Sequence, residues 1–345
     1  MLSETIDPYW VDAFEQVFAL CKVSPSESVV ILSETHSRQV NITLAELALA
    51  RLGARYYQIR VPSAAPATGP IVRSSGASRA LGGQEEAVRA LASADFVVDL
   101  TLEGLMHAPQ TGQILRGGAR ILNVSNEHPE ALARMLPDLA VKDAVRDAVK
   151  LCKSAEQMRV TSSAGTDLTV QMQGASTVGV WGWTDRPGTL AHWPGGIVVS
   201  FPKAGSVQGR LVFQPGDLNL SFKRYFDSEV VFDIKDDFVT KVSGNGLDAR
   251  LMRDYLKSFA DANAYATSHV GWGMNPGARY EALACYDQRE TNGTELRALA
   301  GNFLYSTGAN EFADRYTDGH FDLPMMGCNI SLDDKAVVVD GDLVS

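Results

Sequence analysis

Two segments of the chain combine side chains that can ligate a metal ion. The first is His320-Phe321-Asp322. In extended backbone, residues i and i+2 project to the same side. An imidazole and a carboxylate placed that way converge on one point, as two metal ligands must. Asp318-Gly319 reads as a turn before the pair, and Leu323-Pro324-Met325-Met326-Gly327 as an apolar wall behind it. The triplet by itself carries little, because short motifs match freely. The second segment is Ser268-His269-Val270-Gly271-Trp272-Gly273-Met274-Asn275-Pro276. Its alternating glycines and its Asn-Pro turn suit a backbone that aims a side chain into a cleft. Two histidines and an aspartate form the ligand set of a facial triad, which leaves open positions on a non-haem Fe(II). Three protein ligands and a water would also suit a catalytic zinc. The residue types therefore predict one metal held by His269, His320 and Asp322, and leave its identity open.

The elements around these residues fall into two textures. Up to about residue 150, strand and helix signals alternate: Ser28–Leu32, Ala54–Val61, Phe96–Leu100 and Arg120–Val124 read as strands, and Leu44–Leu52 as a helix. Such alternation predicts an α/β N-terminal domain, residues 1–150, with a mostly parallel sheet. Pro62–Gly83, rich in small residues, reads as a long loop. Asp138–Ala155 is an amphipathic helix, with Val141, Ala144, Val145, Ala148 and Val149 on its apolar face. It leads into residues 151–345, where short strand-like pieces (Met158–Thr161, Leu168–Met172, Ile197–Phe201, Gln208–Phe213, Val230–Ile234) predict an α+β C-terminal domain with mainly antiparallel sheet. Helices are expected at Asp248–Ala262 and Thr294–Leu304, and a final strand at Ala336–Val339. The metal ligands lie in this second, catalytic domain.

Several function classes are excluded. A formal net charge of −10, with Lys and Arg scattered, repels phosphate backbones, so no nucleic-acid partner is expected. No GxxxxGK[ST] motif occurs and no GxGxxG follows a strand; Gly82-Gly83 and Gly117-Gly118 read as turns. Met1–Phe14 lacks the basic and apolar regions of a secretory signal, and no apolar run approaches the roughly 20 residues that span a bilayer. Cys21, Cys152, Cys285 and Cys328 lie far apart, without CxxC, and read as buried thiols of a cytoplasmic protein with no membrane partner.

The segments His269–Pro276 and His320–Gly327 resemble two signatures of the aminopeptidase T-like metallopeptidase family, which read roughly E-x-G-x-G-x-N-P and H-x-D-F-M-I-G. Trp193–Val198 through Ser206–Gly209 is similar to a third segment of that family. The resemblance covers most of the chain and implies the same two-domain fold. His269 stands where the peptidases carry a glutamate, and no histidine lies between Pro276 and Gly319. That departure resembles the branch of ring-cleaving Fe(II) dioxygenases that act on dihydroxypyridines.

The branch implies Fe(II) as cofactor. It implies a small aromatic N-heterocycle and O2 as reactants, opened between C5 and C6 of 2,5-dihydroxypyridine to N-formylmaleamate in nicotinate degradation, and a homo-oligomeric assembly. It also implies two histidines near the ring, which local context assigns to His107 and His192 as catalytic and substrate-binding groups. Ser306 is a further expected hydrogen-bond donor to substrate. Trp181, Trp183 and Trp193 are expected around a flat ring, His36 at the surface, and His128 at the start of a helix. The competing expectation is a single-metal aminopeptidase or other hydrolase, whose base would come from Glu281, Asp287, Glu290 or Glu295.

Overall fold

The computed structural model describes residues 5–64, 78–288 and 290–344. Residues 65–77 of the expected Pro62–Gly83 loop lie outside them.

Apolar runs bounded by polar turns make the first sheet. Strands β1 (Ser28–Glu34), β2 (Arg55–Val61), β3 (Phe96–Asp99) and β4 (Arg120–Val124) pair in parallel. Helices α1 (Pro8–Leu20) and α2 (Gln39–Arg51) pack together, as do α3 (Glu85–Ala92) and α4 (Thr111–Arg116). The buried residues form two clusters, Phe14, Phe18, Val29 and Ile31 in one and Val30, Leu32, Val97 and Ile121 in the other. β1, β3 and β4 are buried over nearly their whole length, as a parallel sheet covered on both sides requires. Helix α5 (Pro129–Arg134) follows β4, with His128 as its N-cap accepting from Glu130 N.

Helix α6 (Leu139–Ser154) buries Val145, Ala148 and Cys152, while Ala144 of the expected apolar face stays exposed. Beyond it come β5 (Gln157–Ser162), β6 (Asp167–Gln171) and β7 (Ser176–Val180). Strand β8 (Leu190–Trp193) then crosses back and pairs in parallel with β4, completing a sheet of order β2-β1-β3-β4-β8. The chain continues through β9 (Ile197–Phe201), β10 (Val207–Phe213), the short pair β11 (Leu218–Asn219) and β12 (Arg224–Tyr225), then β13 (Val230–Lys235) and β14 (Phe238–Ser243). Helix α7 (Leu247–Ser258), strand β15 (Thr267–Gly273) and two single turns, α8 (Ala282–Cys285) and α9 (Thr294–Arg297), precede β16 (Phe303–Asn310), β17 (Arg315–Met325), β18 (Cys328–Leu332), β19 (Lys335–Val339) and β20 (Asp342–Leu343).

These strands form an antiparallel eight-stranded sheet, β14-β13-β10-β6-β5-β18-β19-β20, and an antiparallel five-stranded sheet, β17-β16-β15-β9-β7. One apolar core joins them, including Met158, Leu168, Phe213 and Phe232 from the first and Val270, Trp272, Tyr305, Phe321 and Leu323 from the second. Pro324 is tolerated inside β17 because β17 is an edge strand. Among the described residues, no helix is long and apolar enough to cross a membrane.

Three local expectations are corrected. The helix expected over Thr294–Leu304 ends at Arg297, and Phe303–Asn310 is strand. Gly301 takes φ +83, and the Asn302 side-chain amide donates to Leu296 O and Arg297 O, which caps the turn and ends the helix. Asp318-Gly319 is not a turn: both residues lie within β17. Cys285 is exposed, while Cys21, Cys152 and Cys328 are buried, and none is in a disulfide.

The close approach of β15 to β9 depends on Gly271, where a Cβ would lie 1.9 Å from Val198 O. Gly271→Ala should destabilise the protein by about 3 kcal/mol, the cost of an overpacked core position. Thermal unfolding of the metal-free protein checks this; an unchanged midpoint would contradict it.

Candidate metal centre and its cavity

Strand alternation sets the site. On β17, Phe321 and Leu323 enter the core between the two large sheets, so His320 and Asp322 emerge on the opposite face. On β16, Phe303 and Tyr305 enter the core, and Ser306 emerges directly opposite Asp322. β15 brings His269 by a different device. Thr267 pairs with Thr307 and Val270 with Tyr305, so Ser268 and His269 together face one residue of β16. This is a β-bulge, which re-aims a side chain at the cost of one ladder position.

The three expected ligands come together. His320 Nε2 lies 3.2 Å and His269 Nε2 3.6 Å from the Asp322 carboxylate. One ligating atom from each of the three lies within 4.8 Å of the others. Metal–ligand bonds of about 2.1 Å bring such atoms to this range. The separation of His269 from Asp322 is too long for a hydrogen bond, and His269 Nδ1 is buried without a partner among the described residues. The donor set and its spacing therefore fit a divalent metal.

Charge prepares these three side chains for a metal. Burial alone would raise the Asp322 carboxyl, but the Arg297 guanidinium and then His320 hold it well below the usual carboxylate range. Arg297 Nε donates to Asp322 at 2.5 Å, and Ser306 Oγ donates to its other oxygen. The Ser306 hydroxyl proton is thus directed at Asp322, leaving the oxygen as an acceptor. Burial pushes His269 down to about 3, which keeps its ring nitrogens available for ligation.

His107 and His192 reach the same cavity from the other half of the chain. His107 follows β3, and its ring centre lies 6.0 Å from that of His320. His192, next to the end of β8, has Nδ1 2.6 Å from Pro194 O. A carbonyl can only accept, so Nδ1 carries the proton and Nε2 keeps its lone pair. Burial lowers both imidazoles to about 4, so both are neutral near pH 7. The inner cavity, about 100 Å³, has an apolar side formed by Val178, Ile197, Val199, Phe201 and Leu304. Phe201 stands edge-on to His269 with ring centres 5.3 Å apart. A vestibule of about 360 Å³ shares His107 and Phe201 with it and is lined by Trp181 and Trp183. Trp193 is instead packed in the core against Phe14. His36 is exposed.

Sequence reading missed the residues that hold this arrangement. The loop bearing His107 is tied down by Asp99, which accepts from Thr101 N, Thr101 Oγ1 and Leu105 N, and by Glu34, which accepts from Leu102 N at 2.5 Å. Glu127, after β4, accepts from Thr291 Oγ1 and from the amides of Asn292, Gly293, Thr294 and Glu295. That segment leads directly into Arg297. Local sequence marks neither Glu127 nor Arg297, since their partners lie far away along the chain.

A parallel sheet whose strand ends face a two-histidine, one-aspartate cluster on an antiparallel sheet places the chain in the aminopeptidase T-like fold class. Wild-type AmpT from Thermus thermophilus shares this fold, with TM-score 0.63 at 13% identity, covering 98% of this chain and 99% of that one. Within the class, the family model for 2,5-dihydroxypyridine 5,6-dioxygenase matches residues 9–345, and the chain belongs to that family. The 2,5-dihydroxypyridine 5,6-dioxygenase of Pseudomonas putida KT2440 is 38% identical over 336 residues, 96% of this chain and 95% of the relative. The solved structure of 2,5-dihydroxypyridine dioxygenase from that organism superposes with TM-score 0.91, covering 97% of each chain.

Two outcomes test the electrostatics. The unfolded chain takes up a proton on each imidazole near pH 6.5, and the folded chain does so only near pH 4. The unfolded state therefore binds more protons in that window, and the metal-free protein should lose stability as pH falls from about 6.5 to 4. His107→Gln and His192→Gln should each flatten that slope when midpoints of thermal unfolding are compared across it. Glu127→Gln should cost about 2 kcal/mol in urea unfolding, the worth of a charge-assisted hydrogen-bond set weakened to neutral, and should lower metal affinity measured by competition with a chelator.

Proposed function

We propose that the protein is an Fe(II)-dependent dioxygenase that opens 2,5-dihydroxypyridine between C5 and C6 with O2, giving N-formylmaleamate as in nicotinate breakdown. Family membership supports the reaction class, and one observation carries the residue roles: two neutral histidines, His107 and His192, adjoin the His269–His320–Asp322 cluster in an apolar cavity of about 100 Å³. His269, His320 and Asp322 would hold the iron, as the facial-triad ligand set suits. When bound, Fe(II) supplies the spin-allowed route by which O2 and a closed-shell ring exchange electrons.

The chain's own residues do the rest. Arg297 and Ser306 fix the Asp322 carboxylate and leave it anionic. The apolar wall of Val199, Phe201 and Leu304 packs against the ring faces and excludes water. His107, whose ring centre lies 6.0 Å from that of His320, accepts the proton of the C5 hydroxyl. His192 offers Nε2 to the far edge of the ring and holds or returns a proton there. Both atoms of O2 end in the product, so no outside reductant is required. Three buried free thiols suit a reducing compartment, and we place the enzyme in the cytoplasm.

The hydrolase alternative lacks comparable support. Among the described residues, His269, His320 and Asp322 are the only such cluster, and Glu281, Asp287, Glu290 and Glu295 do not line the inner cavity.

Oxygen uptake by protein reconstituted anaerobically with Fe(II) tests the proposal. One O2 should be consumed per 2,5-dihydroxypyridine, with loss of the ring's ultraviolet band and no cleavage of an aminoacyl fluorophore. His320→Ala should lose bound iron and turnover together. Full turnover in that variant would sink the assignment.

A further inference from the structure

The cavity contains a polar group that the ring-opening chemistry does not use. Asn123, next to the end of β4, is only 6% exposed, yet it lines the cavity. Its Oδ1 is buried and has no hydrogen-bond partner among the described residues. A buried acceptor left unpaired costs about 1–3 kcal/mol, so an amide presented empty to a cavity is matched to something that fills it. Its position is enforced. Gly104, at φ +82, packs against the amide so closely that a Cβ there would lie 2.0 Å from Nδ2. Across the parallel ladder Asn123 pairs with His192, so the two side chains leave adjacent strands on the same side.

A primary amide offers one acceptor and a donor side by side. Its complement is a cis-lactam edge, a ring N–H next to a C=O. 2,5-Dihydroxypyridine carries that edge in its 5-hydroxy-2-pyridone tautomer, with the C2 carbonyl para to the C5 hydroxyl. Resting on the substrate assignment made above, we infer that Asn123 is a specificity-determining residue. Its Oδ1 accepts from the ring N–H and its Nδ2 donates to the C2 carbonyl, which turns the hydroxyl toward His107 and the metal ligands. The apolar side of the cavity, Val178, Val199, Phe201 and Leu304, has no side-chain hydrogen-bonding group and cannot tell a pyridone from a benzene ring, whereas Ser125, Thr294 and Arg297 on its polar side already hydrogen-bond to protein groups.

The test separates recognition from turnover. Binding of 5-hydroxy-2-pyridone and of hydroquinone, which has the same outline without the lactam, is titrated anaerobically on the iron-loaded protein. This is done for the wild type, Asn123→Leu and Asn123→Asp, with circular dichroism and iron content as controls. The wild type should prefer the pyridone by about a hundredfold, as expected where a buried polar pair would otherwise go unsatisfied, and the bound C2 carbonyl should show a lowered infrared stretching frequency. Asn123→Leu should bring the preference close to one and abolish the shift. Asn123→Asp, which keeps the acceptor and loses the donor, should retain part of the preference without the shift, and it serves if the leucine variant does not fold. An unchanged preference and carbonyl band in the variants would overturn the inference while leaving the dioxygenase assignment standing. Pyridone binding with these signatures but without O2 consumption would overturn that assignment and leave the role of Asn123 intact. No pyridone binding by the wild type would overturn both.

Discussion

The buried carboxylate of Glu127 joins the two halves of the molecule beside the candidate site. It comes from the end of the parallel sheet and receives a hydroxyl and four consecutive backbone amides from residues 291–295. An unpaired carboxylate at this depth would be expelled or neutralised. Wrapped in N–H groups, it becomes a fixed point instead, and the wrapped segment ends in Arg297. Arg297 then sets the charge and orientation of Asp322. Asp322, on the antiparallel sheet, is thereby aligned by an anion on the parallel sheet. Lys223, buried close by and lowered to about 8 by that burial, adds positive charge to the same region.

Two other carboxylates act similarly at the carboxyl ends of strands. Asp99 and Glu34 hold the loop that carries His107. Burial pushes Asp99 up to about 6, opposed by the hydrogen bonds it accepts from Thr101 and Leu105. Open α/β sheets bind ligands beyond these strand ends, and here the five-stranded sheet closes the opening. That sheet has no solvent face where the site lies: Val270, Phe321 and Leu323 point into one core, and His269, His320 and Asp322 into the cavity. Neutral imidazoles in a buried cavity and a carboxylate kept anionic by a guanidinium are two consequences of the same burial.

Similarity to AmpT at 13% identity shows that this architecture persists through wide sequence change. In the present chain the geometry of the cluster rests on few positions. His269 occupies a bulge, where a one-residue offset decides whether a side chain faces core or cavity. Gly271 and Gly308 flank the ligands at points where a Cβ would meet backbone oxygen at 1.9 and 2.1 Å. The spacing of the ligands thus depends on backbone approach as much as on the ligands themselves.

Local sequence determined a good deal. The period-two pattern of His320 and Asp322, flanked by apolar residues, placed both on one face, and strand–helix alternation determined the parallel sheet. Resemblance in two short segments carried the family. The helix assigned to Thr294–Leu304 failed because Asn302 caps the turn through contacts that include Gly273 N, a residue on another strand. Strand β8 was invisible because its four residues gain their place by pairing with β4, roughly seventy residues earlier. Glu127, Arg297 and Asn123 carry no local signature at all. Hydrophobic periodicity is written in neighbouring residues, and so the sequence alone determined the elements and the ligand types. The partners of a buried charge lie far away along the chain, and only the tertiary structure decided which carboxylates anchor loops, which guanidinium meets Asp322, and which amide is left without a partner in the cavity.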